Sequence, residues 1–283
     1  MRRRSWLFVP GADEAAHRAA ARSGADVIIL ELEDFTPPAL RPRARSAAAK
    51  AFGLWREAGA AAAVRVNPLD GEGLADLMGV LPARPDYVLM SKVETPDQVL
   101  ALERATEGAF DLVPNIESAA ALIAVGDIAR ASRRVRALLL ASEDLVADLG
   151  TQRTRGGAEL AYARARFLLE CRAAGAEPID CPYTFSDAKG ARADARYARQ
   201  LGYRMKSLVE PKHAKLVNAA FTASAAELRK ARRIVAAFER ARAAGRDRAR
   251  VDGALVEVPI YAAAKRLLAE HEDGPMDPAA RIG

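Results

Sequence analysis

Asp111–Ser118 reads DLVPNIES. A short apolar run, Leu112–Ile116, ends in Glu117, and a small-residue helix signal begins at Ser118. This is the pattern of a strand buried on both faces whose last side chain emerges at the carboxyl end, where α/β sheets bind ligands. The pattern recurs along the chain. Asp34 follows VIILELE, Arg65 sits in AAVRVN, Lys92 closes YVLMSK, and Glu143-Asp144 follow ALLLAS. Strand-length runs fall at Ser5–Pro10, Val27–Glu33, Ala62–Asn67, Tyr87–Lys92, Asp111–Glu117, Ala137–Ser142, Ile179–Tyr183 and Arg204–Val209. Helical patterns follow them at Asp13–Ser23, Arg41–Gly59, Gly73–Leu81, Pro96–Glu107, Ser118–Ala131, Ala158–Gly175, Asp187–Leu201 and Pro211–Ala220. This α/β alternation predicts a (β/α)8 TIM barrel. An open doubly wound sheet is the alternative. It calls for a glycine-rich turn after the first strand, which Pro10-Gly11-Ala12-Asp13 does not provide.

Two further helical stretches, Ala225–Ala244 and Ile260–His271, flank VDGALVEVP. The chain therefore divides into a barrel domain, 1–222, and a C-terminal helical extension, 223–283, packed on the barrel or on a neighbouring subunit. The run Leu255–Val258 is too apolar for a free tail and should be buried. The tail EHEDGPMDPAARIG is expected to be flexible.

With 51% hydrophobic and 28% charged residues among 283, the composition is that of a globular protein with ample core. No apolar run approaches the roughly 18 residues of a membrane span. The start, MRRRSWLFVPGADE, reads as a strand rather than a signal peptide. Cys171 and Cys181 have no metal or redox spacing, which fits a reducing cytoplasm. The net charge is +6. Basic stretches such as RASRRVR carry no interleaved aromatics, so neither nucleic acid nor membrane is an expected partner. A general attraction for small anions remains.

Glu117 and Asp144 are the first candidates for chemistry. Two carboxylates converging at a barrel mouth make a hard oxygen site, and Mg²⁺ commonly takes one or two protein carboxylates plus water and substrate oxygens. No His or Cys cluster argues for zinc. Capping a helix, or pairing with an arginine, accounts for the two acids equally well. Arg65, inside an apolar run, needs an anion: a substrate carboxylate held in fork geometry, or a structural acid such as Glu33. Lys92 is a Schiff-base lysine or a charge partner for a barrel acid, and the carboxylate pair favours the partner role. Glu31, Glu33 and Asp34 can orient Arg65, Lys92 or metal-bound water, or can simply pair with nearby arginines. His17, His213 and His271 have no partner at ligand spacing and read as surface residues. No nucleophile elbow surrounds Ser5, Ser118 or Ser142.

Taken in order, RSWLFVPG, GADVIILELED with RPRAR, VRVNPLD, SKVE, NIES, SEDLVADLG and VDGALVEVP resemble the citrate lyase beta-subunit family, acyl-CoA lyases of the wider HpcH/HpaI aldolase group. The resemblance runs from Arg4 to about Ala264. It implies a (β/α)8 barrel that binds Mg²⁺, or Mn²⁺ in its place, and cleaves or forms a carbon–carbon bond next to a carboxylate. Its substrates are 3-hydroxyacyl-CoA thioesters such as citryl-CoA and malyl-CoA. By motif, Glu117 and Asp144 match the metal ligands and Arg65 the arginine that holds the keto-acid product. Gly11 matches the first-strand motif, Glu33-Asp34 the acidic pair, and Glu257 the catalytic acid before Val-Pro. Lys92 joins Arg65 and Gly11 as a substrate-binding candidate. The resemblance also implies a homo-oligomer, a trimer or hexamer, whose C-terminal segment reaches a neighbouring site. Departures from the family pattern are Glu31 and Glu257 in place of Asp, Phe35-Thr36 and Arg41 after the acidic pair, and His213 near the eighth strand. Two other readings remain: a CoA-independent aldolase of 4-hydroxy-2-oxo acids, and a non-catalytic ligand-binding or assembly homologue.

Overall fold

The computed structural model describes residues 3–272. Strands β1 (Ser5–Pro10), β2 (Val27–Glu31), β3 (Ala61–Val66), β4 (Tyr87–Met90), β5 (Asp111–Ile116), β6 (Ala137–Leu140), β7 (Glu177–Asp180) and β8 (Met205–Leu208) form a closed barrel in sequence order. All pairings are parallel, and β1 closes on β8 with Trp6 opposite Ser207. The connecting helices are α1 (Glu14–Ala21), α2 (Arg41–Glu57), α3 (Gly73–Val80), α4 (Pro96–Ala105), α5 (Ala119–Ile123), α6 (Val125–Arg130), α7 (Glu143–Asp148), α8 (Ala161–Ala173), α9 (Ala188–Leu201) and α10 (Ala214–Ala220). The expected TIM barrel is the observed one.

The strand alternation of two sorts the apolar side chains into two cores. Trp6, Phe8, Ile29, Leu89, Val113 and Leu139 fill the lumen. Their neighbours Leu7, Ile28, Leu30, Val64, Val88 and Leu138 point outward into the helix layer, against residues such as Phe52, Trp55 and Phe167. The same alternation carries three polar side chains inward at the carboxyl end: Glu31 after Val27 and Ile29, Arg65 after Ala63, and Asn115 after Val113.

The differences from the expected elements are local. Several expected strands end about two residues early. Leu32-Glu33, Ser91-Lys92 and Ala141-Ser142 lie on loops just past β2, β4 and β6. The helix expected over Ser118–Ala131 is two helices, because Ala124 leaves helical geometry at φ −88°, ψ 2°. The short α7 starts at Glu143, where no separate helix was expected. His17 and His213 are buried, not on the surface. Each sits on the inner side of its turn, where Nε2 meets a backbone carbonyl, Pro10 O at 3.0 Å and Ser186 O at 3.3 Å. His271 is exposed. Both cysteines are free and buried, and burial pushes their thiols up, that of Cys181 to about 12, so neither is a reactive thiolate.

A charged cluster lies between the barrel and the helices. Arg164 on α8 donates to Asp180 through Nε at 2.9 Å and Nη2 at 2.7 Å, and to Asp194 on α9 at 2.7 Å. Lys206 Nζ stands 2.6 Å from both acids and also donates to Cys181 O. Two cations and two acids balance, which is the condition for burying them. Asp180→Ala removes that balance and leaves Arg164 and Lys206 sharing one acid. We expect it to cost about 3–5 kcal/mol in chemical denaturation. A cost below about 1 kcal/mol would show that the cluster does not help hold the barrel.

The chain separates into two compact units, Arg3–Phe221 and a second beginning at Thr222. The second unit contains α11 (Ala225–Ala243), the hairpin β9 (Ala249–Val251) and β10 (Ala254–Val256), and α12 (Val258–Glu272). A capping box, Ser224 with Glu227, starts α11. Phe238 stacks on Tyr261 of α12 with ring centroids 4.6 Å apart. Asp252 and Gly253, both at positive φ, form the tight hairpin turn. Of the run Leu255–Val258, expected to be buried, only Val256 is. Leu255 is 41% exposed because the pleat turns it to the face opposite Val256, and Val258, 50% exposed, lies past the strand at the start of α12. Of the tail expected to be flexible, the part after Glu272 lies outside the described residues. No helix among the described residues is long and apolar enough to cross a membrane.

Candidate active site

Arg65 is the centre of the charges at the barrel mouth. It is buried and lies over the Phe8 ring, its guanidinium carbon 5.0 Å from the centroid. In the sheet register it neighbours Glu31. Arg65 Nε donates to Glu31 Oε1 at 2.9 Å, and Nη2 lies 2.9 Å from the same oxygen. Nη2 is also 3.0 Å from Glu33 Oε2 and 3.8 Å from Asp34, and Nη1 is 3.5 Å from Glu117 Oε1. Burial opposes its charge, but these carboxylates hold its pKa above the ordinary value.

Glu33 carries the network to Lys92, whose Nζ is 2.8 Å from Oε1. Both Glu33 oxygens thus face cations, outside hydrogen-bond alignment. Burial works against the Glu33 charge, yet Arg65 and Lys92 hold its pKa below the usual carboxylate value. The Glu33 carboxylate beside it raises the Lys92 pKa, so its amine stays protonated and is no Schiff-base nucleophile at neutral pH. The charge-partner role expected for Lys92 is the one its geometry supports. Its backbone is left-handed at φ 54°, a conformation a non-glycine residue adopts at some cost.

Glu117 is 3% exposed and loosely held. Its contacts are all long: Lys92 N at 3.3 Å, Asn115 Nδ2 at 3.3 Å and Arg65 Nη1 at 3.5 Å. Burial, then the neighbouring charges of Glu33 and Asp144, push its carboxyl up to about 7 against the pull of Arg65. Glu117 and Asp144, on the first turn of α7, line one hollow of about 370 Å³ together with Lys92, Ser118 and Ala121. Seven carboxylates, Glu31, Glu33, Asp34, Glu94, Glu117, Asp144 and Asp148, are set against two cations, Arg65 and Lys92. A divalent cation fits this surplus of negative charge. Among the described residues no group of three His, Cys, Asp or Glu is arranged to hold a metal. Glu117 and Asp144, which line the same hollow, are the pair that would hold it, and one or two protein carboxylates is the habit of Mg²⁺.

The raised Glu117 pKa gives a pH signature. The folded-state value, about 7, lies above the ordinary glutamate value of 4.5. The folded protein then binds this proton more tightly than the unfolded chain does, so stability is lost as pH rises through that window. In chelator, the melting temperature should fall between about pH 5 and 7 more steeply for wild type than for Glu117→Gln. Identical profiles would refute the assignment. Mg²⁺ stabilisation should grow over the same interval, because only the carboxylate binds metal.

The remaining expected residues fall as follows. Asp34 is half exposed at the mouth, and burial and Glu33 raise its carboxyl to about 6. Gly11 is buried, and its N–H is taken by Glu31 O at 3.0 Å and Thr36 Oγ1 at 2.8 Å. A Cβ there would come within 2.8 Å of Glu31 O and of Ala44 Cβ, so the residue lets β1 approach β2 closely. Glu257 belongs to the second unit and is exposed just after β10. Asn115 was missed. It lies two residues before Glu117, hence on the same strand face, and that spacing was the available signal. Its Oδ1 is buried without a hydrogen-bond partner among the described residues.

A sequence model of the HpcH/HpaI aldolase/citrate lyase family matches residues 4–211. The citrate lyase subunit beta of Haemophilus influenzae is 34% identical, with 96% of this chain and 98% of that protein aligned. The L-malyl-CoA/beta-methylmalyl-CoA lyase of Cereibacter sphaeroides is 32% identical over 95% and 94%. Among solved structures, protein CitE of Mycobacterium tuberculosis in complex with magnesium, acetoacetate and coenzyme A superposes with a TM-score of 0.75 at 26% identity, covering 95% of this chain and 98% of that one.

Proposed function

The chain belongs to the HpcH/HpaI aldolase/citrate lyase family, and from that premise we propose that it is a Mg²⁺-dependent carbon–carbon lyase acting on a 3-hydroxyacyl-CoA thioester of the citryl-CoA or malyl-CoA class. One observation carries the reading. A buried, loosely held carboxylate, Glu117, shares a hollow with Asp144 and stands beside Arg65. The relatives named for citrate and malyl-CoA chemistry, and the neighbour crystallised with magnesium, acetoacetate and coenzyme A, support it.

Glu117 and Asp144 would hold the Mg²⁺, and the chemistry it would supply when bound is Lewis-acid polarisation of a substrate oxygen. Arg65 meets the substrate carboxylate and keeps the keto-acid product in place. Cleavage removes the 3-hydroxyl proton and delivers a proton to the acyl carbon that loses its bond. Asp34, with a carboxyl raised to about 6, is suited to the first transfer. Glu257 is assigned the second by its place before Val-Pro. Glu33 links Arg65 to Lys92 and holds both cations at the mouth. The protein works in the cytoplasm.

The working unit is a homotrimer or a hexamer in which Glu257 serves a neighbouring barrel. Leu255, Val258 and Ile260, exposed around Glu257, are apolar enough to be covered by a partner. Glu117→Ala and Glu257→Ala protomers, each inactive alone, should regain activity when mixed under conditions of subunit exchange. If none returns once exchange is demonstrated, the shared site is wrong.

The function is tested by a lyase screen over hydroxyacyl-CoA thioesters and free hydroxy-oxo acids, with Mg²⁺ and with chelator. We expect turnover of a thioester that the chelator abolishes. Turnover of free hydroxy-oxo acids alone would move the protein to CoA-independent aldolases. No Mg²⁺-dependent turnover of either class would overturn the lyase reading.

A further inference from the structure

Arg65 can donate five N–H bonds, and the barrel already occupies one edge of its guanidinium. Nε and Nη2 both lie 2.9 Å from Glu31 Oε1, and Nη2 lies 3.0 Å from Glu33 Oε2. Nη1 has one acid near it, Glu117 at 3.5 Å. A substrate carboxylate gripped on the Nε–Nη2 edge would have to displace Glu31, and one gripped on the Nη1–Nη2 edge would have to take Nη2 from Glu33, so Nη1 is the prong left to it.

Glu31 is not free to be displaced. Its Oε1 accepts from Glu33 N at 2.7 Å and its Oε2 from Phe35 N at 2.6 Å, so its own loop clamps the carboxylate from both sides. The Glu31 carbonyl is fixed as well, by Gly11 N at 3.0 Å and Thr36 Oγ1 at 2.5 Å. The residue is completely buried, and the Phe8 ring supports the guanidinium it holds. Glutamate has the length to reach two loop amides and Arg65 at once. One methylene fewer would leave one set of partners short.

We propose that Glu31 is a positioning residue for Arg65: it anchors the Nε–Nη2 edge and leaves Nη1 as the donor offered to the substrate, which is therefore held end-on. This rests on the lyase reading given above. Without the Glu31 charge the guanidinium is drawn toward Glu117 and competes with the divalent cation there. Glu31 thus serves both ligands, acid and metal, without touching either.

The test is calorimetric titration of the full-length protein with Mg²⁺, and then, in saturating Mg²⁺, with glyoxylate, pyruvate and oxaloacetate. Wild type, Glu31→Gln, Arg65→Lys and the double variant are compared. Glu31→Gln should weaken keto-acid affinity on the order of 10- to 100-fold and weaken Mg²⁺ in the same direction. The double variant should be no weaker than Arg65→Lys alone, because a residue acting through Arg65 has nothing left to position. A purely structural role would lower both backgrounds equally, and that result would overturn the proposal, as would unchanged affinity in Glu31→Gln. If Glu31→Gln does not fold, Glu31→Asp keeps the charge but withdraws it, and should show the same weakening; wild-type affinity there would also overturn it. If wild type binds none of the three acids, the lyase reading itself fails and this inference falls with it. If wild type binds and Arg65→Lys alone weakens binding, only the role of Glu31 is lost.

Discussion

Glu117→Ala is expected to abolish Mg²⁺ binding and lower turnover on the order of a thousandfold, while the barrel still folds. The magnitude follows from metal polarisation being worth several kcal/mol of transition-state stabilisation, with each 1.36 kcal/mol a factor of about ten. The fold should survive because Glu117 is a mouth residue with no contact shorter than 3.3 Å. Its burial beside Glu33 and Asp144 is unfavourable without a cation, so the metal-free variant should melt no lower than metal-free wild type at neutral pH. Asp144→Ala should lose metal in the same way. Unchanged Mg²⁺ affinity in both variants, read by calorimetry, would end the assignment. Loss in one alone would leave that residue as the ligand and the other as a neighbour.

Arg65→Lys should lower kcat/KM on the order of a hundredfold, the usual cost of one displaced donor at an anionic transition state. Lysine keeps the charge but brings a single ammonium, which Glu31 and Glu33 will capture. The substrate carboxylate then loses its partner while the buried acids keep theirs. Arg65→Ala is less informative, because it leaves Glu31 and Glu33 uncompensated and costs about 3–5 kcal/mol of folding stability as well. Wild-type kcat/KM in a folded Arg65→Lys enzyme would show that Arg65 serves the barrel and not the substrate.

Much of this was legible in the residues. The eight apolar runs mark the strands, because a parallel sheet covered on both faces leaves few other patterns for a strand to take. Glu117, Asp144, Arg65 and Lys92 stood out because charge at the end of such a run is conspicuous. Loop geometry was not legible. The early ends of β2 and β4 depend on where the ladder stops, and that moved Glu33 and Lys92 onto loops where they meet. The pairing of Glu31 with Arg65 depends on sheet register, which no single run encodes. The Arg164–Asp180–Asp194–Lys206 cluster gathers residues from two strands and two helices, each of which reads alone as an ordinary surface charge. His17 and His213 were misjudged because their partners are backbone carbonyls, which carry no sequence signal.

The apolar plug of the lumen has a kinetic consequence. Trp6, Phe8, Ile29, Leu89 and Leu139 are at most 6% exposed, so among the described residues the lumen beneath Arg65 is filled by side chains. Traffic is confined to the mouth. On the proposed thioester reaction, a small acid seated on Arg65 would lie at the closed end, with the bulkier fragment between it and solvent. Departure is then ordered: the bulky fragment leaves first and the small acid last. In the condensing direction of the proposed reaction the small acid would have to arrive first, and excess thioester at the mouth should act as a substrate inhibitor.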